Sequence, residues 1–262
     1  MIIPRIFSIF AAVMRNLPTI TRYLLIANIC IFLIGGILES YHIDLNTLGG
    51  LHFFSSPLFH WWQPLTYMFL HADWQHLFFN MFAVWMFAPV LEQEWGERRF
   101  LFYYLLCGLG AGLVQELVWS MMPFSPMHQA LLNTIGASGA VFGILFAFGW
   151  LYPNTPMFLF FIPIPIRART FVIIYALIEL LTGIRSITGA SIDNVAHFAH
   201  LGGMLFGWLV LLYWRYTSWR EPQWKDWMWK IKQWCNKLFR RHQRLDSTKK
   251  NDYDKYHYHK RL

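Results

Sequence analysis

The chain has 262 residues, of which 56% are hydrophobic and 14% charged, a balance that excludes an ordinary soluble domain. Its formal net charge of +8 comes mostly from the C-terminal tail and speaks for anionic lipid headgroups; no nucleic-acid-binding pattern accompanies it. Cys30 and Cys107 fall in apolar stretches and Cys235 in the tail, so they offer no extracellular disulfide framework.

Between Arg5 and Arg15 lies a short apolar run with no small-residue cleavage site after it, the pattern of an interfacial helix and not of a cleaved leader. Six apolar stretches follow, at about 20–38, 74–91, 99–120, 131–151, 170–188 and 195–214. Each approaches the roughly 20 residues that a helix needs to cross about 30 Å of hydrocarbon. The expected fold is an all-α membrane protein, a bundle of six transmembrane helices. Residues 1–19 are then a cytoplasmic N-terminal segment, 20–214 the membrane domain and 215–262 a cytoplasmic tail.

Charge placement orients the bundle. Arg5, Arg15 and Arg22 stand at or before the start of the first stretch, Arg98 and Arg99 follow the second, Arg167 and Arg169 follow the fourth, and the tail is dense in Lys and Arg. The opposite side carries only Arg185, so both termini are expected in the cytoplasm.

The first external segment, 39–73, contains no Lys or Arg. Its later part is hydrophobic but broken by Pro57 and Pro64 and dotted with His52, His60, Trp61, Trp62 and His71, which predicts a structured loop dipping into the outer leaflet. The second stretch carries His76 and Asn80, four residues apart and so on one helix face, where polar glue between helices is the plain alternative to a functional pair. The third is rich in glycine and reads as a packing element.

The fourth stretch holds Gly136-Ala137-Ser138-Gly139-Ala140-Val141-Phe142-Gly143. Small residues at such spacing let helices approach closely, and a serine among them often only bonds across the contact. Pro153, Pro156, Pro163 and Pro165 then mark a cytoplasmic hinge. The fifth stretch contains Glu179, an ionisable group at mid-depth with no evident partner. The sixth opens with His197 and His200, and its Gly203 and Gly207 make a second small-residue face able to pack on the fourth. From Trp224 to Phe239 apolar residues recur at helical spacing between Lys and Arg, as expected of a helix lying on anionic lipid.

Depth connects these residues. With alternating helix directions and a rise of about 1.5 Å per residue, Ser138, Asn80 and His200 each fall roughly 10 Å below the outer boundary, with His76 one turn shallower. A serine becomes a competent nucleophile when a base takes its proton, and histidine is the usual base near neutral pH. Ser138 and His200 supply that pair, with no carboxylate evident to orient the imidazole, so the expectation is a dyad. His76, Asn80 and the Ser138 backbone N–H are the candidate donors to an oxyanion, and the glycines beside Ser138 would let a substrate backbone approach. No His-Glu-x-x-His pattern or intramembrane aspartate pair is present, and His197 with His200 lacks an evident third ligand. Neither a metal nor any other cofactor is therefore expected. A transporter reading rests on Glu179 alone.

Taken together, these residues resemble the rhomboid family of intramembrane serine proteases over nearly all of 20–214. Gly136-Ala137-Ser138-Gly139 matches its G-x-S-G motif, Ala199-His200 with Gly203 and Gly207 its A-H-x-x-G-x-x-x-G, and His76 to Asn80 its H-x-x-x-N. Leu65 to His71 resembles the stretch before the second helix, and Glu92 with Gly96 the turn after it. Trp62-Gln63 departs from the Trp-Arg that members often carry in the first external loop. The resemblance implies a compact six-helix rhomboid-like bundle that cuts transmembrane protein substrates within or beside their helices. Its cuts would favour small residues and helices that unwind easily. It implies Ser138 as nucleophile, His200 as base, and His76 and Asn80 as oxyanion donors. Gly136, Gly139, Gly203 and Gly207 would serve substrate approach and helix packing. The implied location is a plasma or bacterial inner membrane. The alternative is a catalytically inactive rhomboid-like protein that binds transmembrane clients.

Overall fold

The computed structural model describes residues 16–122, 125–159, 162–187 and 195–218. The N-terminal apolar run and the basic Trp-rich tail, with Cys235, lie outside the described residues. The chain is mostly helical. Its long helices are α1 (Thr19–Glu39), α4 (Trp74–Trp95), α5 (Glu97–Met121), α7 (Ser138–Leu151), α8 (Ala168–Ile187) and α9 (His197–Ser218). By length and composition α1, α5 and His197–Arg215 of α9 are able to cross a membrane, and α7 is a shorter apolar helix.

The turn after α4 is built by two residues. Gly96 ends α4 at φ +79, a left-handed conformation that costs glycine least, and α5 starts at the next residue. Glu92, one turn earlier and 2% exposed, reaches the start of α1. Its carboxylate accepts from the backbone N–H of Ile20 at 2.8 Å and of Thr21 at 2.7 Å, and from the Thr21 hydroxyl at 2.7 Å. The first N–H groups of a helix have no intrahelical acceptor and favour negative charge, so Glu92 caps α1 from another element.

Between α1 and α4 the chain forms α2 (Leu45–Gly49), β1 (Leu51–His52), α3 (Gln63–Thr66) and a 3-10 turn (Tyr67–Phe69). Asp44 caps α2, accepting from Asn46 N–H at 2.8 Å and from the Thr47 hydroxyl at 2.5 Å. Gln63 is fully buried. It accepts from His52 N–H at 3.3 Å and donates to the Leu58 carbonyl at 2.8 Å, tying the loop to itself.

After α5 come α6 (Pro126–Leu131) and β2 (Asn133–Thr134), which pairs antiparallel with β1, Leu51 opposite Thr134 and His52 opposite Asn133. β3 (Pro156–Leu159) and β4 (Ile162–Arg167) form a second antiparallel pair at the proline-rich hinge. The expected all-α class thus gains two small sheets. The fourth apolar stretch also differs from the helix expected over 131–151, because α7 starts only at Ser138. The backbone N–H of Gly136 donates to the Tyr67 carbonyl at 2.9 Å and Gly136 sits at φ +131, so no helix passes through it.

Around α7 the helices meet on glycine. A Cβ on Gly203 of α9 would overlap the carbonyl oxygen of Gly139, and one on Gly139 would strike Ala111 of α5. Gly207 meets a different partner from the one its spacing suggests: its Cα faces the Tyr103 hydroxyl of α5 and not α7. Tyr103 in turn donates to the Gly143 carbonyl at 2.8 Å, and Tyr67 to that of Gly108 at 2.6 Å. Both tyrosines are among the most buried side chains, their hydroxyls spent on backbone carbonyls.

Candidate active site

Ser138 is the first residue of α7. The N–H groups of Ser138, Gly139 and Ala140 therefore have no partner four residues back inside that helix, whose first such bond runs from Val141 N–H to the Ala137 carbonyl at 3.0 Å. An array of backbone donors with the positive end of a helix dipole thus lies beside the serine hydroxyl.

The His200 ring stands over this end. Its Nε2 is 2.8 Å from Ser138 Oγ. Phe142, one turn along α7 from Ser138, stacks on the imidazole with ring centroids 4.2 Å apart and planes 7° from parallel. Phe142 also stacks on Tyr175 of α8, centroids 5.2 Å apart. The sequence reading passed over this column, although a residue four after Ser138 on a helix necessarily shares its face.

The side of the ring away from Ser138 corrects the expectation that no carboxylate orients it. Glu179 of α8, read as having no partner, accepts from His200 Nδ1 at 2.9 Å and from His197 Nδ1 at 2.7 Å, both through Oε2. All three residues are 7–8% exposed. A carboxylate only accepts, so each Nδ1 carries its proton and His200 Nε2 is left to accept from Ser138 Oγ–H. His197 Nδ1 also lies 3.1 Å from the Thr182 hydroxyl, which donates to the Ile178 carbonyl at 2.7 Å. Glu179 is equally the third potential ligand that His197 and His200 lack in the sequence. The ligating atoms of the three lie within 4.8 Å of one another. A cation is the competing use of this cluster, but its 2.7 and 2.9 Å separations are those of N–H···O hydrogen bonds.

His76 stands near Ser138, against Gly136. Its Nε2 would lie 2.8 Å from a Cβ on Gly136, so the ring packs on the bare Cα of that residue, whose own built Cβ would be 3.4 Å from Ser138 Oγ. Backbone bonds hold the imidazole there. Asp73 accepts from His76 N–H at 2.8 Å, and His76 Nδ1 accepts from Ala72 N–H at 3.4 Å. Asn80 is buried and donates to the His76 carbonyl at 2.9 Å, so one of its amide protons serves its own helix. Of the four glycines singled out, Gly136 borders the serine, Gly139 and Gly203 seat α7 on α9, and Gly207 packs against α5.

Comparison with known proteins bears on the whole arrangement. The family model described as "Rhomboid domain" matches residues 58–217, more than half of the chain. The chain belongs to the rhomboid family. Among its relatives, Rhomboid-like protein 11, chloroplastic, of Arabidopsis thaliana is 33% identical over 159 residues, which cover 59% of this chain and 52% of that protein. Rhomboid protease GluP of Bacillus subtilis (strain 168) is 34% identical over 148 residues, 56% of this chain and 25% of that protein. Putative rhomboid protease YdcA of the same organism is 36% identical over 85 residues, 32% of this chain and 38% of that protein. The matched regions span about half of these relatives or less. Rhomboid membership and the apolar helices together make this a membrane protein.

Proposed function

We propose that this rhomboid is an intramembrane serine protease that hydrolyses peptide bonds in or next to transmembrane segments of membrane-protein substrates. One observation carries the reading: the 2.8 Å separation of Ser138 Oγ and His200 Nε2 at the start of an apolar helix. The protease names of two relatives support it. Ser138 is the nucleophile. His200 takes the hydroxyl proton as Oγ bonds to the substrate carbonyl carbon, then returns it to the leaving amine as the C–N bond breaks. Water attacks the acyl-enzyme by the same exchange. The developing oxyanion is held by the Ser138 N–H at the α7 N-terminus, with His76 and Asn80 as side-chain donors. In this role Asn80 turns its amide from the His76 carbonyl towards substrate.

The bundle crosses the membrane six times, through α1, α4, α5, α7, α8 and α9, with the loop between α1 and α4 set into the outer leaflet. Residues 1–19, 20–214 and 215–262 form the cytoplasmic segment, the membrane domain and the tail. The Lys and Arg distribution supports cytoplasmic termini, and the membrane of this reading is a plasma or bacterial inner membrane. The tail binds anionic lipid. Deleting 219–262 is expected to weaken binding to anionic vesicles and to leave reaction at Ser138 unchanged.

The decisive test labels detergent-solubilised protein with a fluorophosphonate while a generic transmembrane substrate is incubated in parallel. Labelling and cleavage by wild type, both lost in Ser138→Ala and His200→Ala, are expected. Folded wild type that neither labels nor cleaves would leave a rhomboid that binds transmembrane clients without cutting them.

A further inference from the structure

The cluster on the far side of His200 is not needed by a serine–histidine pair, yet it buries a carboxylate beside two imidazoles. Burial of an ionisable group is costly unless its bonds are made, and here Oε2 of Glu179 has two N–H donors. The bond to His197 alone would serve to join α8 to α9. The second bond, 2.9 Å to His200 Nδ1, is directed at the reacting ring.

We propose that Glu179 is a positioning residue for the base, completing a Ser138–His200–Glu179 series in which His197 shares the carboxylate. This rests on the protease reading above. Three consequences follow from the geometry. The Nδ1–H bond selects the tautomer in which Nε2 has its lone pair towards Ser138 Oγ. The ring is held in orientation from two sides, by Glu179 in its plane and by Phe142 against its face. When the Ser138 proton moves to Nε2 as the Oγ–C bond forms, the resulting imidazolium lies against a carboxylate that keeps its charge and takes no proton. His197 holds the same oxygen from a neighbouring direction, and Thr182 braces His197. The carboxylate is thereby fixed on α8 before substrate arrives.

The test uses the full-length protein in detergent with a transmembrane substrate, and compares Glu179→Gln, Glu179→Asp, His197→Gln and Ser138→Ala. Glu179→Gln keeps the shape and removes the charge. It is expected to lower kcat on the order of 10²-fold, with KM and thermal midpoint close to wild type. Glu179→Asp is expected to recover at least about tenfold of that loss, and His197→Gln to lose clearly less than Glu179→Gln, since it leaves the bond from His200 Nδ1 to the carboxylate in place. A low-field imidazole N–H resonance present in wild type and lost in Glu179→Gln would identify the bond without reference to turnover.

Folded Glu179→Gln with wild-type kcat would overturn the proposal. So would an equal loss in His197→Gln, which would reduce Glu179 to a tie between two helices. Loss of wild-type turnover on chelation, restored by zinc, would make the cluster a metal site and overturn it as well. Failure of the protease reading looks different: wild type would be as inert as Ser138→Ala while the low-field resonance persisted. That result ends any catalytic role for Glu179.

Discussion

Gly203 of α9 rests its Cα on the carbonyl oxygen of Gly139 of α7, with no room for a Cβ between them. Ser138 is one residue before Gly139 and His200 three before Gly203, so this backbone contact sets how closely the two functional groups approach. Gly203→Ala must push the helices apart. The expected outcome is a loss of about 1–3 kcal/mol in stability, the usual cost of overpacking, and a slower fluorophosphonate reaction at Ser138. A thermal melt read beside a labelling time course checks both. Labelling at the wild-type rate in a destabilised variant would mean that other contacts hold the pair.

The Phe142 ring lies flat on His200, and an aromatic contact of this kind contributes about 0.5–1.5 kcal/mol beyond simple burial. Phe142→Ala should therefore slow labelling by roughly 2- to 12-fold at a temperature where the variant is still folded. Phe142→Tyr keeps the stack and should react at a rate near wild type. If alanine and tyrosine variants label alike, the ring only fills space.

Glu92 predicts an effect far from the serine. Its carboxylate accepts three bonds from Ile20 and Thr21, of which the two from Thr21 are buried. Glu92→Ala leaves those donors without an acceptor and should cost at least about 2 kcal/mol. Glu92→Gln should cost less, since one amide oxygen still accepts. Thermal unfolding in detergent measures the order, and a neutral Glu92→Ala would show that α1 starts unaided.

His71, in the loop before α4, gives a pH dependence. Burial pushes its imidazole pKa down to about 3, with His76 adding in the same direction. The ordinary value is 6.5, so between about 6.5 and 3 the unfolded chain binds a proton that the folded protein does not. Its contribution to stability is therefore complete above the ordinary value and is lost as pH falls towards 3, by up to about 1.4 kcal/mol per pH unit. Melts of wild type and His71→Asn across pH 7 to 4 should show the steeper decline in wild type. Parallel declines would assign the acid sensitivity to other groups.

Much of this molecule was open to reading from the chain alone. Apolar stretches long enough to cross a bilayer are a one-dimensional property, so the helices appear near their expected places, and Ser138, His200, His76 and Asn80 stand out as polar residues in greasy or glycine-rich surroundings. Gly136 and Gly203 were likewise visible as positions where a side chain is unwelcome. Composition could not show where α7 begins. Apolar residues continue on both sides of Gly136, and its φ of +131 is held by a bond to Tyr67, a residue from another part of the chain. Nor could spacing tell that Gly207 faces Tyr103 and not α7.

Glu179 marks the boundary most clearly. Sequence determined that a carboxylate sits inside an apolar helix, and that such a group must find partners. Periodicity reports which residues share a helix face but not how that helix is rotated against its neighbours, because the rotation is settled by packing. Only the tertiary structure turned that face of α8 towards His197 and His200, and so gave the carboxylate both of its N–H donors.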